Sequence, residues 1–407
     1  MHAERSSGRW TLVTLIATAS FINYLDRGSL AVALPVISKD LHLDPIAQGA
    51  ALSAFFWTYT AMQIPIGRIV DRFDIKVVYG ALFAVWSLAA AATGLATGLW
   101  TLIIARVFLG IGESVYLPGG LKVVSLHFTS EETAWPAGLF DLGTKLGLAF
   151  GTAIDVWLLK LYGWRSLFFR TGLVGLLWLI PWVMFYPSSR ATARDRQPID
   201  WHALLTNRAL LGICLGFFCW DYFWYFLISW LPTYLYTVRQ MSLLKIALFG
   251  SLPYLIFAAA EAAGGLSAGA MIRRGAGLSR VTKGFVAAGF AIGLFIIPAA
   301  IVESTAASIA FLLASSVAGI GLGSLISFPK IYAREGEVAL WVGIMNAAGN
   351  VGGVIAPLVT GVVVQNTGSY VPAFLTVAFV LVVGIVAYTM IVPSLENARS
   401  TDPAYDV

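Results

Sequence analysis

Cysteine is almost missing from this 407-residue chain, with Cys214 and Cys219 its only two. Five apart on an apolar helical stretch, they can build neither a disulfide framework nor a zinc site, so no metal centre and no cofactor is expected. Histidine is nearly as scarce. His2, His42, His127 and His202 fall in tails or loops, which excludes a histidine proton relay within an apolar core. No grouping of nucleophile, base and orienter can be assembled, so an enzyme is not expected. Charge is thin throughout, at 12% Asp, Glu, Lys and Arg. The net charge of +5 would attract nucleic acid only if gathered into a patch. The basic residues are instead dispersed between apolar runs, as loop charges of a membrane protein are, and nucleic acid is excluded as a partner.

What fills the chain is apolar side chain, at 58%. This is enough for about twelve membrane spans of about 20 residues each. Apolar runs can be read at 10–35, 48–70, 77–97, 100–126, 135–160, 165–186, 209–238, 244–272, 281–301, 306–328, 337–364 and 371–393. The expected fold is therefore all-α: a polytopic protein of twelve transmembrane helices embedded in a lipid bilayer. The longest internal polar stretch, 187–208, carries Arg190, Arg194, Arg196 and Arg208. It divides the chain into a six-helix half at 10–186 and another at 209–393, near-equal halves of the kind that a parallel repeat in a secondary transporter leaves. With both termini in the cytoplasm, the Lys and Arg of the tails and even-numbered loops far outnumber those of the outward loops. Residues 10–19 superficially resemble a signal peptide, but the same helix runs on through charged residues, so it is read as the first span.

Four basic residues stand five or more positions from the ends of the expected helices: Arg27, Arg106, Lys145 and Arg170. A charge at mid-bilayer is costly and marks a functional site by default. Arg170 lies close enough to its helix end to snorkel to the interface. Six acids accompany them: Asp26, Glu113, Asp141, Asp155, Asp221 and Glu261. Arg106 and Glu113 are seven apart, hence on one helix face, with Gly110 between them leaving room for a neighbour; they can share a cavity without touching. Asp26 and Arg27 are adjacent and point about 100° apart, so they address different partners, and Tyr24 shares the arginine's face. Arginine cannot give up its proton, whereas a desolvated carboxyl can titrate in the working range. Fixed guanidinium groups would then bind a substrate carboxylate while the acids carry protons, which describes proton-coupled anion transport. The alternative is a static interhelical ion-pair network. Asp141 and Lys145 are an i,i+4 pair, with Lys145 a further candidate anion contact. Asp155 reads as structural or solvated, and Glu261 as an isolated buried acid serving either as a proton site or as a packing partner. Asp221 stands in the aromatic run 217–225, most of whose rings read as packing. Tyr59, Gln63, Ser324 and Ser327 are polar positions that either line a cavity or bond between helices.

Several stretches together resemble the major facilitator superfamily, and within it the anion:cation symporter branch of galactonate, glucarate and hexuronate transporters and vesicular glutamate transporters. Gly67-Arg68-Ile69-Val70-Asp71-Arg72-Phe73-Asp74-Ile75-Lys76 is similar to the superfamily's cytoplasmic gating motif, in which Gly67, Asp71 and Arg72 would act, and it departs by having Asp74 where glycine is usual. The equivalent stretch of the second half, 265–274, carries Gly269 in place of the acid. More specific to the branch are Asn23-Tyr24-Leu25-Asp26-Arg27, the stretch from Arg106 through Gly110, Gly112 and Glu113 to Pro118, Trp230 to Leu235, and Asn346 through Gly349, Asn350, Gly352 and Gly353 to Pro357. The resemblance implies that Arg27 contacts the anion, that Asp26 and Glu113 carry protons, and that Arg106 pairs with Glu113 or the substrate. Thr144 stands where sugar-acid members can present an amide, with Asn346 or Asn350 where they present another; Thr144 followed by Lys145 departs from the galactonate-like pattern.

The glycine patterns at 110–112 and 319–323 echo dinucleotide loops, but no strand precedes them and close helix packing explains them. The expected function is a monomeric proton symporter of a bacterial inner membrane. It would import a small organic carboxylate, whether sugar acid, dicarboxylate or aromatic acid, by alternating access, with Tyr24, Tyr59, Thr144, Lys145, Asp221, Ser327, Asn346 and Asn350 beside the two arginines at the substrate. The rivals are a metabolite or drug exporter, disfavoured because Gly151 is followed by Thr152 and not proline, and a non-transporting ligand sensor.

Overall fold

In lipid every backbone N–H and C=O must be satisfied within the protein, which leaves helices as the solution for a chain this apolar. The computed structural model, which describes residues 2–129, 132, 134–188, 201–334 and 337–394, is helical with no strand among those residues. The helices are α1 (His2–Asp40), α2 (Pro45–Arg72), α3 (Ile75–Thr93), α4 (Leu99–Glu113), α5 (Tyr116–His127), α6 (Ala134–Phe185), α7 (Trp201–Thr206), α8 (Arg208–Thr237), α9 (Leu243–Phe249), α10 (Leu252–Arg273), α11 (Leu278–Gly293), α12 (Ile296–Ile301), α13 (Thr305–Ser316), α14 (Leu322–Tyr332), α15 (Val338–Thr367) and α16 (Val371–Val386). A 3-10 turn, Val317–Gly321, joins α13 to α14, and a π turn, Ala387–Ile391, continues α16.

Among the described residues nine helical stretches are long and apolar enough to cross a membrane. The stretch at 135–185 is 51 residues, about twice what one crossing needs. It turns back at Gly163, whose φ of 75° and ψ of 168° belong to the region that favours glycine. It therefore counts as two spans. The first two helices are long enough to cross but more polar, α1 holding Asn23, Asp26 and Arg27 and α2 holding Gln48, Thr58, Tyr59, Thr60 and Gln63. With them the fold has the twelve spans read from the sequence.

The chain forms two compact units: Met1–Asp195 with Ile228–Ser251, and Arg196–Leu227 with Leu252–Val407. Most of the 187–208 stretch lies outside the described residues. The segment 228–251, placed by sequence in the second half, clusters with the first unit, where the Lys39 ammonium donates to the Tyr236 hydroxyl at 3.4 Å.

The first unit is organised by a seam between α1 and the beginning of α6. Gly143, Gly147 and Gly151 recur every four residues and meet α1 at Ala17 and Ser20, at Phe21 and Tyr24, and at Leu25. A Cβ on Gly147 would stand 2.4 Å from the Phe21 carbonyl oxygen, so the two backbones touch because a side chain is missing. On the other flank, a Cβ on Gly110 would stand 2.2 Å from the Phe55 carbonyl oxygen and one on Gly112 2.5 Å from the Trp86 nitrogen. This clamps α4 between α2 and α3, and explains the 110–112 pattern as packing. An aromatic ladder, Trp86, Phe83, Trp178, Trp182 and Tyr186, fills the space between α3 and the end of α6, with ring centroids 4.2–5.1 Å apart.

In the second unit, Trp220 and Trp224 of α8 pack on Phe257, and Trp220 also meets Phe290 edge-on at 5.5 Å. The rings of the 217–225 run thus serve mainly as core. A Cβ on Gly319 would stand 2.3 Å from the Phe257 carbonyl oxygen, so the second glycine pattern is also a helix contact.

Replacing Gly147 by Val is expected to lower stability in detergent by about 2 kcal/mol or more, because the overpacked seam has backbone on its far side. Gly138→Ala, on the same helix but with nothing within 4 Å of its Cβ position, is expected to be neutral or stabilising by about 0.5 kcal/mol. Thermal unfolding of the two variants side by side checks this, and equal losses would remove the seam as the cause.

Candidate functional site

The seam and the clamp bring α1, α2, α3 and α4 together around the charges. Arg27 Nε donates to Glu113 Oε2 at 2.9 Å, with the two side chains 3% and 0% exposed. The guanidinium is boxed by aromatic faces, its carbon lying 4.8, 4.9 and 4.4 Å from the ring centroids of Tyr24, Phe55 and Tyr59. At these distances the ring faces attract the cation. Phe55 serves both arginines, since the Arg106 guanidinium lies 5.3 Å from the same ring. Arg106 is buried and its Nε has no hydrogen-bond partner; it makes no ion pair with a carboxylate among the described residues. Of the two partners the resemblance allowed Arg106, Glu113 has gone to Arg27. Seven residues along one helix is too far for contact, whereas the neighbouring helix presents its cation directly.

Asp26 and Arg27 diverge as their adjacency requires. Asp26 Oδ2 accepts from Trp86 Nε1 at 2.6 Å, and Trp86 is itself fixed by the ladder and by Gly112. Glu113 Oε1 is buried without a hydrogen-bond partner, and Asn23, also buried, lies close to that carboxyl. Arg106 is within electrostatic reach of both Asp26 and Glu113. Two guanidinium groups and two carboxyls thus occupy one buried cluster, in which Arg27 and Glu113 form a hydrogen-bonded ion pair.

Lys145 pairs with Asp141 one turn before it, the lysine side chain 9% exposed and the carboxyl 52%. Thr144 turns its hydroxyl to its own helix, donating to the Asp141 carbonyl at 2.7 Å. Tyr24 of α1 stands within electrostatic reach of Arg27 and Lys145 alike. Tyr116, whose hydroxyl is 3.1 Å from Ser20 Oγ, meets Tyr24 edge-on at 6.1 Å. Arg170 is exposed, stacked on Tyr162 at 3.8 Å and donating to Ser166, as its place near the helix end requires.

The remaining candidates lie in the second unit. Tyr225 donates to Asn350 Oδ1 at 2.9 Å, and Asn350 Nδ2 donates to the Asn346 carbonyl at 2.8 Å. Asp221 lies where a Cβ on Gly349 would stand 2.3 Å from its Oδ2, so α8 and α15 meet backbone to side chain at this point. Ser327 donates to the Ser324 carbonyl of its own helix at 2.6 Å. Glu261 differs from expectation. It is only half-buried and it has an interaction partner, because α10 turns that face partly outward.

At the gating stretch, Asp71 Oδ1 accepts from Lys122 Nζ at 3.2 Å. Gly67 has open space where a Cβ would be, and Arg72 is exposed. Asp74, in the place of the usual glycine, caps α3 by accepting from the Lys76 amide at 2.9 Å and also accepts from the Ser188 hydroxyl. At the opposite end of α1, Arg165 Nη1 and Trp164 Nε1 donate to Asp40 Oδ2 at 2.6 and 3.0 Å. These two donors hold the Asp40 carboxyl below the usual carboxylate range. The tie is therefore complete above that range and loosens as pH falls through the lowered value.

Sequence reasoning missed Trp86 and Phe55, which read as ordinary members of apolar spans, and gave Asn23 no role beyond its place in the 23–27 stretch. The usable signal was the indole N–H, since a buried tryptophan needs an acceptor and Asp26 was the unassigned one.

Residues 16–333 match the sequence profile described as Major Facilitator Superfamily. The chain is 30% identical to the D-galactonate transporter of Escherichia coli O6:H1 over 424 aligned positions, covering 97% of this chain and 98% of that protein. It is 27% identical to a probable galactarate/D-glucarate transporter of Bacillus subtilis, covering 97% and 94%. Among solved structures, a bacterial homologue of the human lysosomal transporter Spinster, in an inward-facing and unoccupied conformation, superposes with a TM-score of 0.77 at 17% identity, covering 97% of both chains.

Removing one partner of a buried ion pair leaves the other charge uncompensated, so Glu113→Gln is expected to destabilise the protein in detergent by about 3 kcal/mol. Arg27→Met combined with Glu113→Gln is expected to cost less than the two single changes added together. A double-mutant cycle of unfolding measurements checks the pair, and strict additivity would show that the two groups do not interact.

Proposed function

The chain belongs to the major facilitator superfamily, and on that premise we propose that it is a proton-coupled symporter that imports a small hydroxylated organic acid by alternating access. The sugar-acid class comes from the relatives, which are named as galactonate and galactarate/glucarate transporters. We place it as a monomer in a bacterial cytoplasmic membrane with both termini inside, the orientation that the basic residues favour.

The observation that carries the reading is the Arg27–Glu113 pair beside an Arg106 with no carboxylate of its own. A proton arriving on Glu113 removes the charge that competes for Arg27, and the guanidinium becomes available to a substrate carboxylate in bidentate geometry. The aromatic box keeps Arg27 in place through the exchange, so only the anion changes. Loss of the proton restores Glu113 as a competitor and expels the substrate. Proton and anion therefore bind cooperatively, each raising the other's affinity by the same factor. Asp26, held by Trp86, is the second proton carrier. Arg106 adds a second guanidinium for a carboxylate, and Lys145 with Thr144 stands on the Tyr24 side of the cluster. Tyr59, whose ring faces the Arg27 guanidinium, offers a hydroxyl to the hydroxyl groups of the substrate. Gly67, Asp71 and Arg72 act at the gate, where the Asp71–Lys122 contact is weak enough to break in each cycle, worth about 1 kcal/mol or less.

The test is uptake of labelled D-galactonate by proteoliposomes with an alkaline interior. Each coupled proton is expected to add about tenfold accumulation per pH unit of gradient, collapsing on addition of a protonophore. Arg27→Ala is expected to abolish uptake and binding. Glu113→Gln is expected to retain exchange of internal for external substrate but lose accumulation. Uptake indifferent to the protonophore would overturn the coupling. Absence of uptake or thermal stabilisation across a panel of sugar acids and dicarboxylates would overturn the substrate class.

A further inference from the structure

Asp155 of α6 is a charged side chain that the cycle above does not use. It is fully buried, its Oδ2 has no hydrogen-bond partner, and its Oδ1 lies 2.9 Å from the Ser29 hydroxyl of α1. Ser29 Oγ is also 3.0 Å from the Leu25 carbonyl oxygen. A serine hydroxyl has one hydrogen to donate, and a carbonyl oxygen can only accept. Both short contacts are satisfied together when Ser29 donates to Leu25 and the Asp155 acid donates to Ser29. An ionised Asp155 would have to share the one Ser29 hydrogen with the Leu25 carbonyl, whereas a protonated Asp155 completes both contacts. An ionised carboxylate there would hold a full charge in an apolar interior with one shared donor, an arrangement proteins avoid by taking up a proton.

The position supports a role in coupling. Ser29 lies three residues after Asp26 on α1, hence on the same face. Gly151, one turn before Asp155, meets Leu25, which sets Asp155 level with Ser29, toward the α1 end that carries Asp40. Asp26 is the charged group within electrostatic reach of Asp155. The other elements packed on α6 are α3, α5 and α9; none of them adds a charge that acts on it among the described residues. Lys245 of α9 and Lys160 of α6 are both exposed. Two carboxyls within electrostatic reach of each other influence one another's ionisation in a low-dielectric interior.

We infer that Asp155, hydrogen-bonded to Ser29, is a third proton-binding site, lying on the Asp40 side of Asp26 and carrying a coupled proton in the transport cycle. The inference rests on the proton-coupled reading for its place in the cycle, but the protonation itself is testable without substrate.

The experiment is infrared difference spectroscopy of the purified full-length protein at neutral pH, wild type against Asp155→Asn, followed by reconstitution of the same variants. The wild-type spectrum is expected to contain a protonated-carboxyl carbonyl band that Asp155→Asn removes and Ser29→Ala shifts. In proteoliposomes Asp155→Asn is expected to keep D-galactonate exchange while its gradient-driven accumulation falls by about tenfold per pH unit, the factor one coupled proton supplies. No change in the carboxyl band would overturn the proton site, and an unchanged accumulation ratio with the band lost would overturn its coupling. If wild-type protein carries no galactonate yet the band behaves as stated, the substrate reading falls and the proton site stands.

Discussion

The Arg27–Glu113 ion pair is the contact on which the first unit is built. Neither charge can be left alone in an interior this apolar, since removing a partner from a buried pair costs several kcal/mol. Each packing feature around it serves to bring the two together. Gly110 and Gly112 let α4 lie against α2 and α3 at backbone contact, which carries Glu113 inward. The glycine stripe of α6 holds α1 in register, which fixes Arg27, and three ring faces confine its guanidinium.

Around that pair the charged groups divide by what they can exchange. The arginines are permanent cations, so in the proposed cycle they would hold an anion while protons move on other groups. The carboxyls can gain and lose protons, and their surroundings differ: Glu113 faces a cation, Asp26 an indole N–H and Asp155 a hydroxyl. Three acids with three different partners would, in the proposed cycle, differ in how readily each takes up a proton. Lys145 is set apart from this set by its own partner, Asp141. The departure at Thr144 and Lys145 from the galactonate-like pattern is thus a local exchange of an amide for a neutralised cation, beside an otherwise conventional arginine and acid pair.

The gating stretch gives a second case of one residue type doing work that another usually does. Asp74 stands where the motif usually has glycine, yet it is in register to cap α3 and accept from Ser188. An aspartate at a helix N-cap is worth about 1 kcal/mol, so the substitution preserves the turn by capping where glycine would preserve it by flexibility. Asp71 keeps its cationic partner in Lys122.

The sequence alone determined the class of the fold and which charges stand inside its spans. Apolar runs of span length are a one-dimensional property, and a charge inside such a run is costly wherever the helix packs, so twelve spans and the residues Asp26, Arg27, Arg106 and Glu113 were legible without coordinates. The divergence of Asp26 from Arg27 was legible too, because helix geometry fixes it locally. The partners were not. Glu113 could be referred to Arg106 through one helix face, but its actual partner comes from another helix, through an approach that depends on the absence of side chains at Gly110 and Gly112. Trp86 and Phe55 read as apolar filler, Asp155 as structural or solvated, and Glu261 as buried, because burial and hydrogen-bond partners are set by which helices meet. Only the tertiary structure decided these pairings: an electrostatic contact depends on distance across space, and helix periodicity reports only the face on which a residue stands.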